Sequence, residues 1–307
     1  MPEANSAHWS QLKEGGSVFG MRLLLLVHRV GGPLAFRILL FPVICYYVLF
    51  RRQSYRASHR YLTRLHEFNG AIPAPRFWHV FAHFWNFGIS MLDKLNVWSG
   101  GLTLADVVLH DQQLIEELLR ANKGAVILMS HLGNFEICQA LSESMPHFKL
   151  TVLHHTRHAA KFNSLLNRHK KPSSITLHQV TDIDMGVAMQ LGEKVAAGEF
   201  LALSADRVAI DNPDSAVTVD FLGHPAPFPS GPFVLSLALQ APIITLFCIK
   251  EGGRYHIYFE TLWRGGGVRR TERKELLTEL IRQYAVRLEY YCRKAPLQWY
   301  NFYAFWH

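Results

Sequence analysis

From about residue 105 onward the chain alternates between two apolar patterns. "DQQLIEELLRANKG" (111–124) and "DMGVAMQLGEKVAAG" (184–198) repeat their apolar positions at helical spacing. "AVILMS" (125–130), "FKLTVLH" (148–154), "SITLHQ" (174–179) and "EFLALSAD" (199–206) are short apolar runs of strand length. Helices are also predicted near Glu136–Ser144 and Ala159–His169. "APIITLFCIK" (241–250) and "RYHIYFETL" (254–262) read as strands on either side of the turn "EGG". Between them and the earlier strands lies an irregular segment, "RVAIDNPDSA". A Gly- and Pro-rich stretch follows, and a helix begins at Gly231-Pro232 with Ser230 as its cap. The amphipathic segment 271–294 forms a last helix. Strands alternating with helices predict an α/β fold, with a largely parallel central sheet flanked by helices.

The first 100 residues have a different texture. "MRLLLLVHRVGGPLAFRILLFPVICYYVLFRR" (21–52) is apolar but interrupted by Arg29, Gly31-Gly32-Pro33, Arg37 and Pro42. Its longest uncharged run, Ile38 to Phe50, has 13 residues, against the roughly 20 a spanning helix needs. Two short apolar helices in the membrane interface are expected, with a full span open only if Arg37 reaches outward. The basic flank Arg51, Arg52, Arg56 and Arg60 would face anionic headgroups. The proline-containing "NGAIPAPRF" (69–77) is the expected joint. It divides a membrane-associating segment, 1–70, from an α/β domain, 71–307. Residues 77–100 form an aromatic stripe at helical spacing, suited to a core or to a second interface.

Charge sharpens this picture. Lys and Arg outnumber Asp and Glu by 32 to 24, and the net charge is +8. Acidic partners are expected: anionic lipid headgroups or an acidic protein. Nucleic acid is not, because the arginines adjoin apolar helices and no nucleic-acid motif is present. The four cysteines are widely spaced and form no C-x-x-C pair, so they read as free thiols.

Candidate chemistry gathers where strands end. His131 follows "AVILMS", His154 and His155 follow "LTVL", and Asp206 follows "FLALSA". In α/β sheets this rim is where sites lie. "SHLGNFEIC" (130–138) is the most informative stretch. Asn134 and Glu136 are explained as a helix cap and a first-turn acid. His131 is not, and a general base with Glu136 as its orienting carboxylate is the competing account. The spacing is not that of the H-E-x-x-H zinc helix, and no G-x-S-x-G elbow surrounds Ser130. No metal or cofactor is expected.

Taken in order, five blocks carry a family resemblance. "HLGNFE" resembles the H-x4-D/E motif of the glycerolipid and lipid A acyltransferases. "HHTRHAAKFNSLLNRH", "SADR", "DFLGHPAPFPSGPFVLSLAL" and "APLQW" resemble further blocks of the bacterial late lipid A acyltransferases. The chain departs from them at Leu297, where they carry Glu, and at its non-basic ending "QWYNFYAFWH". In these features it more closely resembles the family members encoded with aryl polyene (xanthomonadin-type) pigment synthesis.

The resemblance implies a membrane-associated acyltransferase at the cytoplasmic face of the bacterial inner membrane. It would move a fatty or aryl-polyene acyl group from an acyl carrier protein or CoA thioester to a hydroxyl of a lipid or glycolipid. His131 would be the base and Glu136 its partner. Arg157, Asn163, Asp206, Arg207 and Gly231 would bind substrate, with backbone N–H groups of Phe228–Gly231 as oxyanion donors. A non-catalytic lipid-binding or assembly protein on the same scaffold is the alternative.

Overall fold

A computed structural model describes residues 18–70, 72–99, 101, 104–138, 147–154, 175–179, 185–208 and 215–306. Helices α1 (Val18–Phe50), α2 (Arg52–Asn69) and α3 (Phe77–Ser99) come first. Strand β1 (Val107–His110), helix α4 (Gln112–Arg120) and strands β2 (Val126–Met129), β3 (Leu150–His154) and β4 (Ile175–Gln179) follow. Then come α5 (Met185–Ala196), β5 (Phe200–Ser204), the hairpin β6 (Ala216–Phe221) and β7 (His224–Pro229), and α6 (Gly231–Ala238). Strands β8 (Ile243–Glu251) and β9 (Arg254–Trp263) and helix α7 (Arg273–Lys294) close the chain.

Seven strands form one sheet in the order β1-β9-β8-β2-β5-β3-β4. All neighbours are parallel except β8 and β9, which form an antiparallel pair. The apolar runs are continuous because the central strands are buried on both faces. Val126 and Leu128 of β2 enter one core, and Ile127 and Met129 enter the other. β5 divides the same way, with Leu201 and Leu203 on the first side and Phe200 and Ala202 on the second. Helix α7 covers the first face through Leu280, Ile281, Tyr284 and Leu288, and α4 lies on the second through Ile115.

The N-terminal helices join the first core. α1 presents Phe36, Leu40, Ile44 and Val48, one residue every fourth position, and α2 adds Tyr61, Leu62 and Leu65. The other side of α1 leaves Leu34, Ile38, Phe41 and Leu49 exposed. The two helices expected here are both present within α1, joined at a kink at Gly32, whose φ of 70° lies outside the helical region. Residues 30–50, which include that kink, are long and apolar enough to cross a membrane, and little of that stretch is buried. The proline-rich joint falls between α2 and α3, and both helices pack into the same core. The Gly- and Pro-rich stretch, for which no strands were predicted, forms the β6–β7 hairpin. Its turn holds Leu222 and Gly223 at positive φ.

Candidate functional site

β2 and β5 are adjacent and parallel, and their last residues, Met129 and Ser204, are in register. The two residues after each strand are therefore neighbours: Ser130-His131 and Ala205-Asp206. The Ala205 N–H donates to the Met129 carbonyl, which carries this alignment past the strand ends. The sheet thus delivers a histidine and an aspartate 75 residues apart to one point on its carboxyl-terminal rim.

The contact is a chelate. His131 Nδ1 lies 2.8 Å from Asp206 Oδ1, and the His131 backbone N–H donates to Asp206 Oδ2 at 2.8 Å. Two further donors complete the carboxylate: Ser204 Oγ to Oδ1 at 2.9 Å and Trp299 Nε1 to Oδ2 at 3.0 Å. Asp206 is buried (1 % exposed), while 38 % of the His131 side chain is exposed. Burial alone would raise the Asp206 carboxyl. The His131 contacts and the Arg207 charge reverse this and hold it well below the usual carboxylate range. An ionised carboxylate only accepts, so the His131 proton belongs on Nδ1. Nε2 then carries a lone pair and has no hydrogen-bond partner among the described residues. Burial, and next the Arg207 charge, keep His131 below its ordinary 6.5, against the opposing pull of Asp206.

Glu136 is not the partner of His131. Its carboxylate meets Lys94 Nζ of α3 at 2.6 Å. The reason is the backbone between them. Gly133 adopts a φ of +73°, and a Cβ there would lie 1.7 Å from the Cys248 carbonyl oxygen. The chain turns at this point against β8, with the Asn134 N–H donating to the Cys248 carbonyl. Phe135–Ile137 then forms a 3-10 turn, and the helix expected near Glu136–Ser144 falls mostly outside the described residues. That turn buries Ile137 and Cys138 and directs Glu136 toward α3. Asn134 occupies the cap position of this turn but makes no side-chain cap bond; its Nδ2 donates to the Ser90 carbonyl.

The remaining expected residues divide. Asp206 joins His131 instead of facing a substrate on its own. The Arg207 guanidinium donates to the Tyr300 carbonyl at 3.1 Å and lies 5.4 Å from the Tyr303 ring centre. Gly231 opens α6, where a first-turn N–H has no intrahelical partner. The neighbouring Ser230 N–H is already given to the Ser215 carbonyl. Arg157 and Asn163 lie outside the described residues, as do most of residues 136–144 and all of 159–169.

The C-terminal tail contributes what the sequence reading missed. The Tyr300 N–H donates to the His131 carbonyl, and the Gly133 N–H donates to the Gln298 carbonyl. Tyr284 of α7 donates its hydroxyl to the Met129 carbonyl at 2.7 Å. The "APLQW" block was the available signal, but nothing in its spacing says which strand end it touches. Among the described residues no three His, Cys, Asp or Glu side chains converge to hold a metal ion.

The arrangement can take a proton at Nε2 and stabilise the resulting imidazolium through Asp206. It stands beside helices that expose apolar surface. A family model described as bacterial lipid A biosynthesis acyltransferase matches residues 74–306, which include the whole sheet and the tail. A search of curated proteins returns no match.

Proposed function

Because the chain belongs to the bacterial lipid A biosynthesis acyltransferase family, we propose a specific reaction for it. It moves an acyl group from a thioester, on acyl carrier protein or CoA, to a hydroxyl of a lipid or glycolipid. The family makes the protein an acyltransferase with an acyl donor and a lipid acceptor, and the apolar first helix agrees with membrane association. The observation that carries the finer reading is the Asp206–His131 contact, with Nε2 unpaired among the described residues.

In the proposed reaction His131 Nε2 removes the proton from the acceptor hydroxyl. The oxygen attacks the thioester carbonyl and forms a tetrahedral oxyanion. That intermediate collapses to the ester and expels the thiolate, which takes the proton from the imidazolium. No acyl-enzyme forms. Asp206 keeps Nδ1 protonated in the resting state and balances the imidazolium charge during transfer. The logic is that of a serine triad in which the substrate hydroxyl replaces serine. A base held below its ordinary pKa is neutral, and so competent, at cytoplasmic pH.

Glu136 and Lys94 lie on the same rim and act as an ion pair at the mouth of the site. Arg157 and Asn163 receive a phosphate of the donor arm or an anionic group of the acceptor. Arg207 sets the potential at His131, and Gly231 supplies an N–H to the oxyanion. Residues 1–70 hold the enzyme to the cytoplasmic face of the inner membrane, with Arg52 and Arg56 facing anionic headgroups. Between α1, α2 and α3 these two arginines line a cleft of about 300 Å³ with Val48, Leu49, Tyr55 and Phe77. An acidic carrier protein suits the net charge of +8. The departures at Leu297 and at the tail favour an acceptor other than a lipid A precursor, with an aryl-polyene acyl group as one cargo.

Thiol release from an acyl-carrier-protein thioester and from acyl-CoA tests this reading, with purified protein and a bacterial membrane extract. Release that needs the extract and is lost in His131→Ala supports it. Vesicle binding without thiol release from either donor would favour the non-catalytic lipid-binding protein instead.

A further inference from the structure

Among the described residues, three of the four hydrogen bonds to the Asp206 carboxylate come from the strand ends themselves, two from His131 and one from Ser204. The fourth comes from 93 residues away, in the C-terminal tail: the indole N–H of Trp299, 3.0 Å from Oδ2. We infer that Trp299 is a positioning residue for the proposed reaction, fixing the Asp206 carboxylate in the plane that meets His131. This inference rests on the base role proposed for His131.

The surroundings of Trp299 fit such a role. The ring is fully buried and packs against Tyr61, Phe221 and Phe305, with centroids 5.0 to 5.3 Å apart. Packing of this kind leaves one rotamer for a large ring. Its backbone is held as firmly. The Trp299 carbonyl accepts from His83 Nε2 at 2.9 Å, and His83 Nδ1 is 2.8 Å from Ser58 Oγ. His83 is buried, and burial lowers its pKa to about 4, so the ring is neutral and one nitrogen donates while the other accepts. Nε2 must donate to the carbonyl, so Nδ1 accepts from the Ser58 hydroxyl. Leu132, the residue after His131, forms a β-bridge with Trp299. A chain of bonds therefore runs from α2 through α3 and the tail to the carboxylate behind the base.

A hydrophobic anchor would require none of this polarity. Phenylalanine at 299 would fill most of the same space, yet it would leave Oδ2 with the His131 N–H alone. An indole N–H draws negative charge from the carboxylate and restrains its rotation. Loss of this donor has two predicted effects. The carboxylate turns more freely, which slows proton transfer. Its charge is also less shared, so it supports the imidazolium more strongly.

The test is an NMR titration of imidazole-labelled protein in detergent, with the His131 signal identified by its loss in His131→Ala. In Trp299→Phe the His131 pKa is expected to rise by about half a unit. Thiol release in the same variant should fall about tenfold in kcat, with KM within twofold. Should Trp299→Phe fail to fold, 3-benzothienylalanine placed at 299 gives the same comparison, because sulfur replaces the N–H at nearly constant shape. An unmoved His131 pKa together with native kcat in either variant would overturn the inference. Two controls separate it from the base assignment. Asp206→Asn should lower the His131 pKa, and His131→Ala should abolish release. Thiol release that persists in His131→Ala would overturn the base role and the Trp299 inference together. Loss of release in both controls, with Trp299 variants unchanged, would overturn the Trp299 inference alone.

Discussion

Asp206 grips His131 twice, with Oδ1 on the ring Nδ1 and Oδ2 on the backbone N–H, both at 2.8 Å. This fixes the plane of the carboxylate as well as its distance, so the imidazole is oriented and its tautomer is set. The grip exists because β2 and β5 are in register to their last residues, Met129 and Ser204.

Asp206→Asn is therefore expected to be far more damaging than its small change in size suggests. The two N–H donors at Oδ2 keep the amide oxygen on their side, which turns the NH₂ toward His131 Nδ1. Nδ1 must then accept, the proton moves to Nε2, and the base is blocked. A fall of roughly 10³-fold or more in kcat is expected. Thiol-release kinetics read it, and circular dichroism should show the native fold.

Arg207→Gln should move the acid limb of kcat/KM to higher pH. The Arg207 charge is one of the causes holding His131 down, and its removal lets the imidazolium persist to higher pH. In the native protein the limb lies below pH 6.5, the ordinary value from which His131 is lowered. Glu136→Gln should move the limb less, since its carboxylate answers to Lys94. A pH series on the three proteins decides the order.

His83 makes stability depend on pH. Its folded pKa of about 4 lies below the ordinary 6.5, so the unfolded chain binds more protons between those values. Stability from this group is complete above about pH 6.5 and is lost as pH falls toward 4. The loss is on the order of 3 kcal/mol. His83→Gln keeps a donor and an acceptor but cannot titrate. Thermal unfolding between pH 7 and 4 should fall less steeply in this variant than in the native protein.

Gly133→Ala should not yield a stable fold. The new Cβ would overlap a backbone carbonyl that cannot move without displacing β8, and alanine resists the positive φ. A loss of about 3 kcal/mol or more is expected, visible as a lowered Tm or as insoluble protein.

Arg52→Gln with Arg56→Gln should weaken binding to anionic vesicles while leaving zwitterionic vesicles unaffected. At about 1 kcal/mol per charge the pair corresponds to roughly a 30-fold change. Flotation at two lipid compositions measures it. Equal loss on both compositions would assign the contact to the apolar face of α1 instead.

The sequence by itself determined the central strands, because burial on both faces writes such a strand as an unbroken apolar run, but it did not mark β1 or the β6–β7 hairpin. Helical period and glycine punctuation mark helices, including the α7 segment, and the "EGG" turn. It also determined that His131 and Asp206 sit on one rim, since each follows such a run directly. Pairing was beyond it. Five residues of local spacing put Glu136 nearest to His131 along the chain, but the carbonyl of Cys248 admits only glycine at 133 and turns Glu136 toward Lys94. Strand order brings Asp206 across 75 residues, and the tail brings Trp299 across a further 93. Contacts of that range are set by which strands lie side by side and in what register. Those are properties of the packed sheet, and local sequence does not encode them.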